Sequence, residues 1–185
     1  MRIGVIVGSV SSKSINRTVA SHLAALAPEG VELVDIDLSK LPIYSPDYDA
    51  DFPAVAREFK DAIASVDGVI IVTPEYSRSI PGVLKNALDW SARPWGQSSL
   101  SGKPVAIMGA SVGPIGTAAA QQHLRAILGH LNAHTLGQPE VFLRFDPQDY
   151  AGDEVVNADV AAVLSNFLTA VVAHVERFAL ETVSA

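Results

Sequence analysis

The strongest constraint on the fold of this chain is a repeated alternation between two hydrophobic periodicities. Short apolar runs, rich in β-branched residues, occur at positions 3–7, 31–36, 68–73, 105–108 and roughly 135–142. Between these runs, apolar residues recur every three or four positions, as they do in amphipathic helices. Parallel strands need crossover connections, and helices supply them. The pattern therefore predicts an α/β fold with a doubly wound, five-stranded parallel sheet and helices on both faces.

Length and composition narrow the class of protein. With 185 residues and 49% hydrophobic side chains, the chain suits a single domain, residues 1–185, around one core. The net charge of -7 and the lack of a Lys/Arg cluster disfavour nucleic acid as a partner, because such binding needs cations facing phosphates. The absence of cysteine excludes disulfides and fits a reducing compartment. The first residues make a poor signal peptide, so we expect a cytoplasmic protein.

The segment 158–179 is apolar enough to suggest a membrane span. Polar residues interrupt it, namely Asp159, Ser165, Asn166, His174 and Glu176. Its larger apolar residues lie at helical spacing: Val160, Val163, Leu164, Phe167, Leu168, Val171 and Val175. We therefore predict an amphipathic helix that packs on the sheet, and no membrane partner.

Three loops after predicted strands have unusual compositions. They read GSVSSKSIN at 8–16, TPEYSRSIPG at 73–82 and GASVGPIG at 109–116. In an open parallel sheet, ligands bind outside the carboxyl ends of the strands, where the strand order reverses. Two prolines stiffen the second loop, which suits the edge of a planar heterocycle, and the glycines of the third allow close backbone approach. These loops are the candidates for a binding site.

The first loop, residues 8–16, leads into a predicted helix. Unpaired N–H groups and the helix dipole favour an anion at a helix N-terminus. The serine hydroxyls and the Asn16 amide add donors, and the loop contains no Asp or Glu, which fits a phosphate monoester. The alternative is that Ser14 is an ordinary helix N-cap, although capping needs one such residue and the loop has four serines. The loop lacks the glycines of Walker A and dinucleotide-binding motifs.

Three segments resemble one known family. GSVSSKSIN, TPEYSRSIPGVLKNALDW and GKPVAIMGAS are similar to motifs of the NADPH-dependent FMN reductase family, flavodoxin-like flavoproteins that include quinone, azo-dye and chromate reductases. The resemblance covers residues 2 to about 140. It implies a flavodoxin-like fold and an enzyme that passes hydride from NADPH or NADH through bound FMN to a small acceptor. Quinones, flavins, azo dyes and metal oxyanions are the implied acceptors.

The resemblance also implies where FMN binds. The implied phosphate contacts are Ser9, Ser11, Ser14, Ile15 and Asn16, and the implied ring contacts are Pro74, Glu75, Tyr76 and Ser77, with Ser111 in the third loop. The family commonly has Arg at the position of Ser11 and Asn at the position of Ser77. In this chain, Ser11 therefore removes a cation near the phosphate, and Ser77 shortens a ring contact. The chemistry belongs to the cofactor, so we predict no catalytic side chain and no metal site. Family members are typically oligomers, which implies a homodimer or homotetramer, with 38–52 and 118–125 as candidate contacts.

Two other functions compete with this interpretation. Residues 109–113 match the G-x-S-x-G nucleophile turn, so a serine hydrolase that uses Ser111, with His174 later in the chain, is one alternative. A non-enzymatic electron carrier of flavodoxin type is the other.

Two metal patterns are weaker. Asp47, Asp49, Asp51 and Glu58 have calcium-loop spacing, but Pro53 indicates a helix start, and His130 and His134 lack a third ligand.

Overall fold

The computed structural model describes residues 1–183, and the side chains of residues 1–179. A parallel sheet forms its centre, with strands β1 (Arg2–Val7), β2 (Glu32–Asp35), β3 (Gly68–Val72), β4 (Pro104–Ser111), β5 (His134–Thr135) and β6 (Val141–Arg144). Five helices accompany it: α1 (Ile15–Ala25), α2 (Ala54–Ala64), α3 (Gly82–Ala92), α4 (Ala118–His130) and α5 (Ala158–Val183). The predicted alternation of strand and helix is confirmed.

The strand order across the sheet is β2-β1-β3-β4-β5, with β6 also paired to β4. This is the order of the flavodoxin-like doubly wound fold, so the predicted fold class is confirmed. The predicted fifth strand, 135–142, is interrupted because Gly137 and Pro139 break the ladder. β5 pairs with the start of β4, at Pro104, and β6 pairs with its end, so the two strands share the fifth position.

Alternate residues of the strands face two hydrophobic cores, one on each side of the sheet. On one side, Ile6, Ile71 and Ile107 pack with buried residues of α2, α3 and α4. On the other side, Val72 and Met108 pack with buried residues of α1 and α5. Side chains alternate between the faces of a strand, so continuous apolar runs are what a sheet covered on both faces requires.

The apolar side of α5 covers the sheet, as predicted. The buried residues are Leu164, Phe167, Leu168, Val171 and Val175, and all belong to the core shared with α1. By length and composition alone, Ala158–Ala179 also passes as a candidate membrane span, which a core helix of a soluble protein does too. Packing on the sheet explains the hydrophobicity of these five positions, whereas only 28% of the segment is buried and Val163, predicted on the packed side, is 40% exposed.

Two further segments fold over the helices. Residues 38–52 lie against Trp90 of α3, whose Nε1–H donates to the carbonyl oxygen of Pro42 at 2.7 Å. The rings of Tyr44 and Phe52 meet the Trp90 ring edge-on. After β6, an antiparallel hairpin of β7 (Tyr150–Ala151) and β8 (Glu154–Val155) forms, which the sequence did not predict.

Candidate functional site

The three polar loops meet at one end of the sheet. They follow β1, β3 and β4, and the strand order reverses between β1 and β3, where doubly wound folds bind their ligands. A cavity of about 200 Å³ lies between the loops. Nine of the ten residues predicted to hold FMN line it: Ser9, Ser11, Ser14, Ile15, Asn16, Pro74, Glu75, Tyr76 and Ser111. Ser77 does not line it, whereas Lys13, Ala110 and Val112 do.

The first loop presents hydroxyl and backbone donors to the cavity. The Ser14 side chain is the N-cap of α1 and accepts a hydrogen bond from the Arg17 N–H at 3.2 Å, so it does cap the helix. Ser9 and Ser11 still line the cavity beside it. Ile15 and Asn16 are the first residues of α1, and their backbone N–H groups have no intrahelical acceptor. The loop therefore keeps the donor set that an anion needs.

The Asn16 side chain has a different role from the one that the sequence suggested. Its Nδ2–H donates to the carbonyl oxygen of Ala110 at 2.9 Å, and its Oδ1 accepts from the Ala110 N–H at 2.9 Å. Asn16 is almost completely buried. The amide thus ties the first loop to β4, and the backbone N–H of Asn16 is the group available to a ligand.

The second loop is fastened to α4 by the Glu75 carboxylate. Its Oε2 accepts from the Ala120 N–H in the first turn of α4 at 3.1 Å, and its Oε1 accepts from Arg78 at 3.1 Å. Thr117, the N-cap of α4, makes no side-chain capping bond. Glu75, 45 residues away from Ala120 in the sequence, therefore supplies the acceptor for a backbone N–H in the first turn of α4. The Glu75 side chain is only 8% exposed. Its carboxylate is therefore a structural tie near the cavity.

The tip of the second loop turns sharply between Tyr76 and Ser79, whose backbones exchange two hydrogen bonds of 3.0 Å. Ser77 and Arg78 both have positive φ, at 50° and 63°. Asn tolerates the left-handed region better than Ser does. Backbone conformation thus gives a physical reason why Asn would suit position 77.

The third loop approaches the second very closely. A Cβ at Gly109 would lie 2.2 Å from both Thr117 Oγ1 and the carbonyl oxygen of Thr73, so only glycine fits there. Ser111, the last residue of β4, accepts a hydrogen bond from the Gly113 N–H at 3.1 Å. The loop therefore brings Ser111 and Val112 to the cavity on a tightly packed backbone.

The geometry is unfavourable for a serine hydrolase. His174 Nε2 lies 2.7 Å from the carbonyl oxygen of His134, which pairs with Pro104 at the start of β4. Ser111 is seven residues farther along β4, which at about 3.3 Å per residue is about 23 Å away. No histidine lines the cavity within the described part of the chain. Ser111 also lacks the positive φ of a strained nucleophile turn.

Acidic residues outside the cavity have other partners. Asp35 at the end of β2 pairs with Arg17. The Ser39 N–H donates to Asp37 at 2.8 Å, and this hydrogen bond lowers the pKa of Asp37. Asp49, in the calcium-like pattern, pairs with Arg93, and α2 begins directly after Pro53. The predicted helix start is thus confirmed.

A larger cavity, of about 490 Å³, lies at the opposite end of the sheet, where Asp67 and Pro104 flank the strand starts. Its Lys103 ammonium donates to the carbonyl oxygen of Val66 at 2.6 Å, and burial lowers the pKa of Lys103. Parallel α/β sheets bind their ligands at the carboxyl ends of the strands, so the smaller cavity is the stronger candidate.

The residues around the smaller cavity fit FMN. The start of α1 and three serines suit its phosphate, and loop 8–16 contains no carboxylate that would repel a dianion. The adjoining second loop contributes Pro74, Glu75 and Tyr76, and the Glu75 carboxylate is already occupied by Ala120 and Arg78. The donor chemistry therefore matches the group that the sequence motifs imply.

Comparison with known proteins agrees with this fit. The family model of the NADPH-dependent FMN reductases matches residues 1–148. A 2-hydroxy-1,4-benzoquinone reductase of Burkholderia sp. is 50% identical over 169 residues, which cover 91% of this chain and 92% of that protein. A quinone reductase of Escherichia coli K12 is 38% identical over 178 residues, with 92% and 93% covered.

One solved structure is similar along nearly the whole chain. It is FerB, the flavoenzyme NAD(P)H:(acceptor) oxidoreductase of Paracoccus denitrificans, with a TM-score of 0.92 and 38% identity. The alignment covers 96% of this chain and 98% of FerB. The chain therefore belongs to the NADPH-dependent FMN reductase family, as the sequence motifs indicated, and is an oxidoreductase that works with FMN and NADPH or NADH.

Proposed function

We propose that this protein is an NAD(P)H:quinone reductase that holds FMN in the cavity between its three loops. The observation that carries the proposal is the convergence of nine predicted contact residues on one cavity at the β1/β3 switch point. Similarity to proteins named quinone reductase supports a quinone as the acceptor. The overall reaction converts NAD(P)H, a proton and a quinone into NAD(P)⁺ and a quinol.

The protein's contribution to this reaction is binding and orientation. When bound, FMN accepts a hydride from a nicotinamide and delivers two electrons to an acceptor. The phosphate would be held by the N–H groups of Ile15 and Asn16 and by the hydroxyls of Ser9, Ser11 and Ser14, and residues 74–76 would border the ring. Glu75 fixes loop 73–82 against α4, so that these contacts are in place before a substrate arrives.

Ser14→Asp tests the phosphate assignment. Asp is as good an N-cap as Ser, so α1 should still form. A carboxylate about 5 Å from a phosphate charge costs about 3 kcal/mol at an effective dielectric constant of 20, which weakens FMN binding roughly a hundredfold. Titration of the apoprotein with FMN measures this loss.

Ser12→Asp is the matched control, because Ser12 is exposed in the same loop and does not line the cavity. We expect its affinity to fall much less. Equal FMN affinities for wild type, Ser14→Asp and Ser12→Asp would contradict the proposed phosphate position.

Kinetics separate a reductase from an electron carrier. If nicotinamide and quinone take turns at one face of the site, initial rates should follow a ping-pong pattern, with each substrate inhibiting at high concentration. A carrier would need a partner protein for its reduction. Anaerobic mixing with NADPH, then NADH, followed at the flavin absorbance, tests this difference. No bleaching by either nucleotide would refute the reductase.

We further propose a single cytoplasmic domain that assembles as a homodimer or homotetramer. Segments 38–52 and 118–125 remain the candidate contacts. Light scattering of the FMN-loaded protein measures the assembly directly, and a monomer at micromolar concentration would contradict it.

A further inference from the structure

The larger cavity, at the end of the sheet opposite the FMN site, contains a lysine that the proposed function does not use. Lys103 lines this cavity, whose volume is about 490 Å³. The strand starts and the end of α5 give the cavity an apolar wall, formed by Val66, Pro104, Val175, Phe178 and Ala179. A space of this size holds a small ring compound. The cavity therefore presents an amine beside apolar surface.

The hydrogen bonds of the Lys103 amine leave one direction at the nitrogen open. Nζ donates to the carbonyl oxygen of Val66 at 2.6 Å and to that of Ala64 at 3.4 Å. A neutral amine has two N–H groups and one lone pair, so these two acceptors can take both N–H groups. A carbonyl oxygen cannot donate to the lone pair. Because the described part of the chain supplies no further hydrogen bond to Nζ, the lone pair of the neutral amine stays available.

Burial favours the neutral form of this amine. Removal of the ammonium from water lowers the pKa of Lys103, and the charge of Asp67 opposes the effect only in part. A lysine amine is a nucleophile only when it is unprotonated, and desolvation is one way in which proteins activate it. The chain contains no cysteine, whose thiolate is the stronger nucleophile. An electrophile in this cavity therefore meets an activated amine and no competing thiol.

Lys60 separates the effect of burial from the effect of geometry. Burial lowers the pKa of Lys60 as well. Its Nζ, however, donates to three carbonyl oxygens, those of Ser91, Arg93 and Gln97. Three acceptors suit the three N–H groups of an ammonium and leave no open direction for a lone pair. Lys60 also does not line the larger cavity.

We propose that Lys103 is a site of covalent modification by quinones that enter the larger cavity. The amine nitrogen of Lys103 adds to a ring carbon of 1,4-benzoquinone; its lone pair forms the C–N bond, and the ring π electrons shift onto a carbonyl oxygen. The proton from nitrogen and the hydrogen of the attacked carbon end on the two oxygens. The product is an aminohydroquinone on Lys103, and the step needs no other oxidant or reductant. The inference rests on the proposed function for the source of the quinone.

Labelling of the FMN-loaded protein with limiting 1,4-benzoquinone at pH 8, without NADPH or NADH, tests the proposal. Peptide mapping by mass spectrometry measures the fraction of each of the five lysines that gains the mass of one benzoquinone. The α-amino group of Met1 lies in a separate peptide and does not enter the comparison. We expect Lys103 to be modified at least about threefold more than any other lysine, because its lowered pKa leaves more neutral amine and its lone pair is open.

Lys60 is the matched control within the same chain, and unfolding is the second control. In guanidinium chloride, which removes both burial and the cavity, the preference for Lys103 should disappear. Lys103→Arg keeps a cation that can donate to Val66, and it should lose this adduct while the other four lysines react as before. Equal modification of Lys60 and Lys103 in the folded protein, or a preference that persists after unfolding, would overturn the proposal.

The two proposals fail in different ways. A wild-type protein that reduces no quinone with NADPH or NADH would refute the proposed function, while selective labelling of Lys103 would still support the modification site. Quinone turnover without any preference for Lys103 in the peptide map would refute the modification site alone.

Discussion

The Asn16 side chain takes the place of a β3 residue beside Ala110 of β4, because β3 ends before it reaches Ala110. β3 ends at Val72, which pairs with Met108 of β4. Ala110, two residues farther along β4, has β6 on one side and no strand on the side of β3. The Asn16 amide fills that side, donating to the Ala110 carbonyl and accepting from its N–H, each at 2.9 Å.

The cost of removing this amide follows from the burial of Ala110, which is 1% exposed. A buried hydrogen bond contributes about 1 kcal/mol, and a polar group left buried without a partner costs about 1–3 kcal/mol. We therefore expect Asn16→Ala to lower the free energy of unfolding by about 3 kcal/mol. Asn16→Asp should be as harmful at neutral pH, because it buries a charge and sets an oxygen against the Ala110 carbonyl.

Urea unfolding of the apoprotein measures both losses, with the denaturant slope unchanged. Burial should raise the pKa of the new carboxyl, so the deficit of Asn16→Asp should shrink as the pH falls and the acid can donate to Ala110. Asn166→Ala, on the exposed side of α5, is the control and should change stability by no more than about 0.5 kcal/mol. A loss below about 1 kcal/mol in Asn16→Ala would refute the strand-replacement role.

Three further predictions concern other contacts. Glu75→Ala should destabilise the protein by about 1–2 kcal/mol in urea unfolding, and Glu75→Gln by less, because the amide oxygen can still accept from Ala120. Equal losses of stability in Glu75→Gln and Glu75→Ala would contradict this prediction. Ser111→Ala should keep quinone reductase activity within about tenfold, and a fluorophosphonate probe should not label wild-type Ser111; stoichiometric labelling would favour a hydrolase. The pKa of Asp37 is lowered in the folded protein, so Asp37 should stabilise the fold above its ordinary pKa of 3.8 and lose this effect at lower pH. Urea unfolding of the wild type and Asp37→Asn between pH 3 and 7 measures the effect. A stability difference between the two proteins that does not change with pH would contradict this prediction.

The fold could be predicted from the sequence because each strand is buried on both faces. Continuous runs such as 68–73 therefore stand out from the helical spacing around them. The exceptions are short elements whose formation depends on tertiary partners. The split between β5 and β6 follows Pro139, and the hairpin at 150–155 rests on α1, where His22 contacts the Gly152 carbonyl at 3.1 Å. Pro139 is visible in the sequence, whereas the contact between His22 and Gly152 has no local pattern there.

The loops of the site could also be predicted, but not the role of each side chain. Polar residues beside a strand end suggest ligand contacts, and Asn16 and Glu75 were interpreted in this way. Both side chains instead satisfy backbone groups of distant elements, Ala110 in β4 and Ala120 in α4. In the sequence, an amide or carboxylate that bonds to a buried backbone group looks the same as one that binds a ligand. Only the folded structure distinguishes the two roles.

These two ties also bear on the departures from the family pattern at Ser11 and Ser77. Asn16 joins the first loop to the third, and Glu75 joins the second loop to the helix that follows the third. In the proposed site, the backbone N–H groups of Ile15 and Asn16 would carry part of the phosphate contact, and every residue except proline has such a group. The Ser11 hydroxyl also accepts a hydrogen bond from the Lys13 N–H at 3.2 Å, so this side chain helps to shape the first loop as well as lining the cavity. Ser77, outside the cavity, alters the turn and not the donor set.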